Sequence, residues 1–267
     1  APTLKNSPVL SSAGEFFLSE FSTMACGILG NGDRCHIRFA QFRHSMRDGQ
    51  NLQASSSKLL KKDVFGQVSV SRESASKIVI RDAGSARAGL GWLARRLLAR
   101  EANALLALDS LDGVPGLVRF APGRLEREFI DGKPMQEAKP FDVSYFKAAA
   151  RLLRRMHRLG VAHNDLAKEP NFLVTADGQP AIVDFQLATI SRRRGKLFRI
   201  LAREDIRHLL KHKRTYCADA LTARERHILA NPSGAARLWS ATGKPVYLFV
   251  TRRLLGWRDR EGAGDRV

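Results

Sequence analysis

The sequence predicts an α+β chain in which strands gather upstream around one long helix and helices gather downstream around a tight hairpin. Three observations carry this. Short runs rich in β-branched residues lie between Lys62 and Arg81, a leucine stripe with helical spacing runs from Leu90 to Leu108, and an Asp-Gly pair separates two apolar runs between Asn171 and Asp184.

In chain order, Lys62 to Val70 and Ser76 to Arg81 read as strands, and Gly66 is the only glycine between Leu59 and Asp82. A glycine there lets backbone amides approach a phosphate, and it serves equally as a plain turn residue. Next, Leu90, Leu93, Leu97, Leu105 and Leu108 follow helical spacing, with Glu101 on the same stripe. An ionised carboxylate on a packed face is costly unless a cation answers it. Leu125 to Pro134 reads as a strand leading into a hinge, and Phe141 to Leu159 as a helix that stops at Gly160, a common residue just past a helix end.

The segment HNDLAKEPN, His163 to Asn171, and the Asp184-Phe185 pair beyond it hold most of the chemistry. Asn171 to Thr175 and Pro180 to Asp184 read as paired strands, with Asp177 and Gly178 as a two-residue turn, a role that is wholly geometric. That register sets Asn171 directly opposite Asp184, with Cβ atoms roughly 4.5 to 5.5 Å apart. An amide oxygen and a carboxylate so placed can share a hard divalent cation such as Mg²⁺ together with substrate phosphates. Asp165, in the preceding loop, can face a substrate hydroxyl beside that cation, and this trio matches the needs of phosphoryl transfer.

These residues resemble the catalytic core of the protein-kinase-like fold, in the style of RIO-type kinases and bacterial lipopolysaccharide kinases of the serine/threonine kinase family. The resemblance is strongest from about Leu59 to Ala188. It implies a two-lobed molecule: residues 59–131 as a small β-rich lobe with one long helix, and residues 132–267 as a mainly helical lobe with basic C-terminal helices. It also implies ATP and Mg²⁺ as cofactors. Asp165 matches the catalytic aspartate, His163 the histidine that opens the loop, and Asn171 and Asp184 the metal ligands. Glu101 would meet a cation on the third strand, either Arg81 at the usual lysine position or Lys77 on the same strand face. Backbone groups from Glu128 to Ile130 would meet the adenine edge. Lys168 is placed either to touch the transferring phosphate or to face solvent.

Three departures shape the expectation. Asn171 follows Asp165 by six residues, where the family pattern has five. Asn164 stands where protein kinases usually have Arg, and Gln186 stands in place of the glycine of D-F-G, removing a residue free to take unusual backbone angles. No A-P-E motif follows, so no eukaryotic activation segment is expected and the acceptor stays open between a Ser/Thr side chain and a sugar of a lipopolysaccharide-like glycolipid.

The formal net charge is +19, and residues 1–58 contribute only +2 of it (six Lys/Arg against four Asp/Glu). The excess gathers at 192–199, 211–214 and 252–258, and favours an anionic partner such as RNA or an acidic membrane face. Ile200, Leu201, Leu209 and Leu210 read as packing onto the helical lobe. No apolar run is long enough for a transmembrane helix, and Glu15 and Glu20 interrupt what would be the core of a signal peptide. The expected location is therefore cytoplasmic, with peripheral attachment to the inner membrane as an alternative. Residues 1–58, with nine serines and little periodicity, read as a poorly structured extension, with Met24 or Met46 as conceivable natural starts. Cys26, Cys35 and Cys217 show no metal or disulfide spacing, and Cys35-His36 reads as incidental.

The leading expectation is an ATP- and Mg²⁺-dependent kinase acting on a hydroxyl. Its rivals are a nucleotide-binding pseudokinase or ATPase-like regulator, and a basic RNA- or membrane-binding adaptor.

Overall fold

The computed structural model describes residues 58–231 apart from 64–65, 74–75, 88 and 110. The readings of the N-terminal extension, of Cys26 and Cys35, and of the basic segment 252–258 lie outside the described residues.

Upstream, five antiparallel strands form one sheet in the order β1-β2-β3-β5-β4: β1 (Lys58–Asp63), β2 (Gly66–Glu73), β3 (Ser76–Asp82), β4 (Leu117–Ala121) and β5 (Arg124–Glu128). The run from Lys62 to Val70, expected as one strand, is two, because the chain reverses between Asp63 and Gly66. Gly66 takes φ +137, and a Cβ there would lie 2.1 Å from the Asp82 carbonyl oxygen, so neighbouring backbone alone accounts for this glycine.

Helix α1 (Gly91–Ala107) packs on β4 and β5. Its buried line runs through Ala94, Leu98, Glu101, Ala102 and Leu105; of the leucines that flagged it, Leu105 and Leu108 are buried, while Leu93 and Leu97 lie one residue round from the line and are half-buried. Ala94, Leu98 and Ala102 form a small core with Ala83, Phe120 and Leu125.

Downstream, β6 (Gly132–Pro134), β8 (Phe172–Thr175) and β9 (Pro180–Ile182) make a second sheet, while β7 (Val161–Ala162) pairs with β10 (Thr189–Ile190). A short helix α2 (Met135–Ala138) precedes α3 (Val143–Arg158). Asp142 caps α3 by accepting from the Ser144 amide at 2.8 Å. Gly160 ends it with φ +81, and a Cβ there would meet the Ser191 carbonyl oxygen at 2.7 Å. Helix α4 (Lys196–Tyr216) packs against α3, and α5 (Ala223–Ala230) packs against α4.

The larger core joins the two regions: Leu105 and Leu108 from the end of α1 meet Tyr145, Leu153 and Met156 of α3, Phe172 and Ile182 of the hairpin, and Phe185. Leu153 and Phe185 are wholly buried. Truncating either to alanine would cost about 2 to 5 kcal/mol, because the lost contacts leave a cavity.

The β8–β9 hairpin corrects the expected register. Phe172 pairs with Ile182 and Val174 with Pro180, and the Thr175 amide donates to the Gln179 carbonyl at 3.0 Å. The loop therefore holds three residues, Ala176 to Gly178, with only Gly178 at positive φ (+74). Asn171 then faces Val183, whose amide donates to the Asn171 carbonyl at 3.0 Å, and Asp184 lies one residue beyond.

Candidate active site

Asp184 reaches the site by a backbone turn. It adopts φ 70, ψ 67, a left-handed conformation tolerated by Asp, and opens a 3-10 turn over Phe185–Leu187. Gln186 sits inside that turn and takes no positive φ, so glycine is not required there. Phe185 is buried under α1 and against the His163 ring, with centroids 4.7 Å apart.

Arg81 organises the charges. Its Nη1 donates to Glu101 Oε2 at 2.5 Å and to Asp184 Oδ1 at 2.9 Å, tying β3, α1 and the post-hairpin turn to one guanidinium. Burial opposes its charge, but Glu101 and Asp184 outweigh burial and raise its pKa above the ordinary arginine value. Burial likewise works against the Asp184 carboxylate, yet Arg81 holds its pKa down at about 2.

Lys77, the other cation considered for Glu101, is not in this cluster. It is 45% exposed, lies 3.7 Å from Asp131, and covers the Phe129 ring. Four residues of strand separate it from Arg81, roughly 13 Å along β3.

A second guanidinium was not foreseen. Arg127 on β5 is 8% exposed, with Nε 3.4 Å from Glu101 Oε1. Neither of those atoms makes a hydrogen bond among the described residues. Burial, with the Arg81 charge added to it, lowers the Arg127 pKa. The stretch RLERE shows no apolar alternation, which concealed a buried arginine there.

The loop from His163 to Asn171 is held tightly. Asn171 Nδ2 donates to the Asp165 carbonyl at 2.9 Å and to Asp165 Oδ2 at 3.3 Å, leaving its Oδ1 as an acceptor. The loop between them closes with a 3-10 turn, Glu169–Asn171, with Pro170 in its middle. Lys168 Nζ lies 3.1 Å from Asp165 Oδ2. Burial raises the Asp165 pKa; Lys168 opposes that rise, and Asp184 adds to it.

His163 is fully buried and out of reach of a substrate. Its Nε2 sits 3.0 Å from the Val183 carbonyl, and its Nδ1 accepts from the Asp165 amide at 3.3 Å. Both bonds fit the neutral Nε2–H tautomer, so His163 positions the loop rather than reacting. Asn164, at φ 68, donates from Nδ2 to the Leu187 carbonyl and to Thr189 Oγ1, both at 2.8 Å. Asn in place of Arg therefore suits a left-handed residue that tethers the chain beyond Asp184.

Beneath the loop, Asp205 of α4 was also missed. It is fully buried and accepts from the His163 amide at 2.8 Å and the Asn164 amide at 2.9 Å, with His157 Nε2 at 3.0 Å. Its signal was a carboxylate in step with Leu201 and Leu209, the same pattern that exposed Glu101. Two further braces come from α4: His212 Nε2 meets the Leu166 carbonyl at 2.8 Å, and the Tyr216 hydroxyl donates to Glu169 at 2.7 Å. Lys213, counted above with the surface charge, is buried and paired with Glu225 at 2.8 Å.

Past β5, the Glu128 amide donates to the Gly116 carbonyl at 2.9 Å and the Phe129 amide to the Lys77 carbonyl at 3.1 Å. The Glu128 carboxylate accepts from the Gly116 amide at 3.1 Å. Ile130 makes no backbone hydrogen bond among the described residues, so its amide and carbonyl are the groups open to a ligand edge.

Asn171 Oδ1 and the carboxylates of Asp165 and Asp184 are hard oxygen donors, suited to Mg²⁺. Among the described residues no three His, Cys, Asp or Glu side chains are placed to hold a metal alone. A cation here would take ligands from this set together with phosphate oxygens, which is how Mg²⁺ binds with nucleotides.

No family model matches the chain, and no curated protein does. Among solved structures, the Rio2 kinase from Chaetomium thermophilum is similar at TM-score 0.53 and 15% identity, over 68% of this chain and 62% of that one. The ADP/Mg²⁺-phosphoaspartate complex of Rio2 kinase from the same organism is similar at TM-score 0.51 and 15% identity, over 76% of this chain and 70% of that one. The chain thus spans about three fifths of the first neighbour's length. Likeness at this identity establishes architecture, and the architecture is the two-lobed protein-kinase-like fold.

Proposed function

We propose that this protein is an ATP- and Mg²⁺-dependent phosphotransferase that moves the γ-phosphate to a hydroxyl acceptor. The observation that carries the reading is the Asp184–Arg81–Glu101 relay facing an Asp165 carboxylate bonded to Asn171. Asp165 would orient the acceptor hydroxyl and receive its proton. Asn171 and Asp184 would hold the cation, which when bound neutralises charge on the phosphates. Arg81, kept in place by Glu101, would grip phosphate oxygens, and Gly66 lies at the tip of the adjoining hairpin. Lys168 would keep its cation beside Asp165, toward the phosphate in transfer. The Ile130 backbone, with Glu128 before it, would take the base edge. The acceptor is a Ser/Thr side chain or a glycolipid sugar. Residues 59–131 and 132–267 are proposed as the two lobes that close on the nucleotide.

A second reading is an ATPase-like regulator. It draws on a neighbour captured as an ADP/Mg²⁺-phosphoaspartate complex. In that case the phosphate would pass to a carboxylate of the enzyme before water removes it.

Incubation with γ-labelled ATP and separate protein, RNA and glycolipid fractions tests both. Label on a protein or glycolipid that resists hydroxylamine, and is lost in Asp165→Asn, supports hydroxyl transfer. Label confined to the protein itself and released by hydroxylamine supports the second reading. No label on any fraction contradicts the kinase reading.

A further inference from the structure

Helix α3 presents a cationic face that the cleft does not use. Its exposed residues from Lys147 onward are Lys147, Arg151, Arg154, Arg155 and Arg158. At 100° per residue these five fall within an arc of about 100°, opposite the buried arc of Tyr145, Ala149, Leu152 and Met156. Across residues 143–164 and 185–203 there are eleven Lys/Arg and no Asp or Glu.

The second of those stretches joins the first in space. The Ser191 amide donates to the Gly160 carbonyl at 2.8 Å, which sets the exposed arginine turn 192–194 against the end of α3. Phe198 packs edge-on to His157, with centroids 6.4 Å apart, and brings the first turn of α4 alongside. Among the described residues, none of the arginines at 151, 154, 155, 158 or 192–194 has an acidic partner within ion-pair distance.

Two exposed leucines adjoin these cations in the sequence. Leu159, at the end of α3, is 46% exposed, and Leu197, in the first turn of α4, is 67% exposed. The exposed aromatics Trp92 and Phe141 lie elsewhere, on α1 and before the start of α3. Single-stranded nucleic acid is held by basic grooves with aromatic platforms. Arginines beside exposed aliphatic side chains instead match a lipid interface, where the charges meet anionic headgroups and the apolar tips enter the acyl boundary.

We propose that the α3 face, the 192–194 turn and the start of α4 form a docking surface for an anionic phospholipid bilayer. The surface adjoins the catalytic loop through the Asn164–Thr189 bond, so docking would hold the acceptor side of the cleft toward the membrane. The proposal goes beyond phosphoryl transfer and does not depend on it.

Co-sedimentation of the full chain with vesicles tests it, using phosphatidylglycerol mixed with phosphatidylcholine against phosphatidylcholine alone. Binding is expected only to the anionic vesicles and to weaken with added salt. The combined variant R151Q/R154Q/R158Q should lower partitioning by roughly a hundredfold, with an unchanged melting temperature to show that it folds. Leu159→Ser with Leu197→Ser should lower vesicle partitioning about tenfold and leave binding to polyuridylate unchanged. Arg224→Gln, on exposed α5, and Asp184→Asn should partition like the wild type. Equal partitioning of the triple-arginine variant and wild type would overturn the proposal. So would leucine variants that bind vesicles normally while polyuridylate binds tightly through the same arginines, which would mark an RNA surface.

Discussion

Asp184 owes its place to a left-handed backbone step that breaks the hairpin's alternation and turns the carboxylate toward Arg81. The sequence sets Asp184 opposite Asn171 through a register that is off by one, because a three-residue loop and a two-residue loop share the same Asp-Gly signature. Lys77 and Arg81 could not be separated by alternation, which puts both on one face of β3; only level along the strand separates them. Replacing Arg81 with alanine should abolish the rise in melting temperature that MgATP gives the wild type, whereas Lys77→Ala should keep it. Loss of that rise in Lys77→Ala, with retention in Arg81→Ala, would reverse the assignment. Glu101 was legible because a lone carboxylate on an apolar stripe demands a cation. Arg127 was not, since a buried arginine in a strand of charged neighbours leaves no periodic trace.

At the scale of elements, helix ends carry much of the geometry. Gly160 and Gly178 both adopt positive φ, +81 and +74, but only Gly160 has backbone in the way of a Cβ. Gly178→Ala should therefore cost about 1 to 2 kcal/mol, the left-handed penalty alone. Gly160→Ala should cost at least about 3 kcal/mol, because the 191–194 turn must also move. Denaturant titration compares the two, and equal losses would mean that the Ser191 contact does not constrain the end of α3. Helix α4 adds a pH effect. Burial, together with Lys211 and Arg207, lowers the His208 pKa to about 4. The unfolded chain then binds this proton more readily than the folded one. Stability should decline as pH falls from about 6.5 toward 4, by at most ~1.4 kcal/mol per pH unit, and His208→Leu should flatten that slope. An unchanged slope in His208→Leu would assign the decline to other groups. The helix around Leu97 was legible from 3.6-residue spacing, and the one around Leu153 from the glycine that stops it. The Asp205 carboxylate was in step with Leu201 and Leu209, but what it braces was not legible, since its partners are backbone amides some forty residues away.

For the molecule as a whole, the two lobes share a core through the end of α1, and the charge cluster lies where β3, α1 and the hairpin converge. The architecture could be read from a short loop motif because phosphoryl transfer constrains a few residue types at fixed spacing. What the proposed phosphotransferase would act on could not, because surface recognition leaves no comparable spacing. No helix among the described residues is long and apolar enough to cross a membrane. The proposed function requires Asp184 and Asn171 to hold a cation that a nucleotide completes. Calorimetric titration of ATP into the wild type and Asp184→Asn, each with and without Mg²⁺, addresses that directly. Wild-type binding is expected to strengthen at least tenfold with Mg²⁺, with no such gain in Asp184→Asn; an equal gain in both proteins would rule out Asp184 as a ligand of the cation.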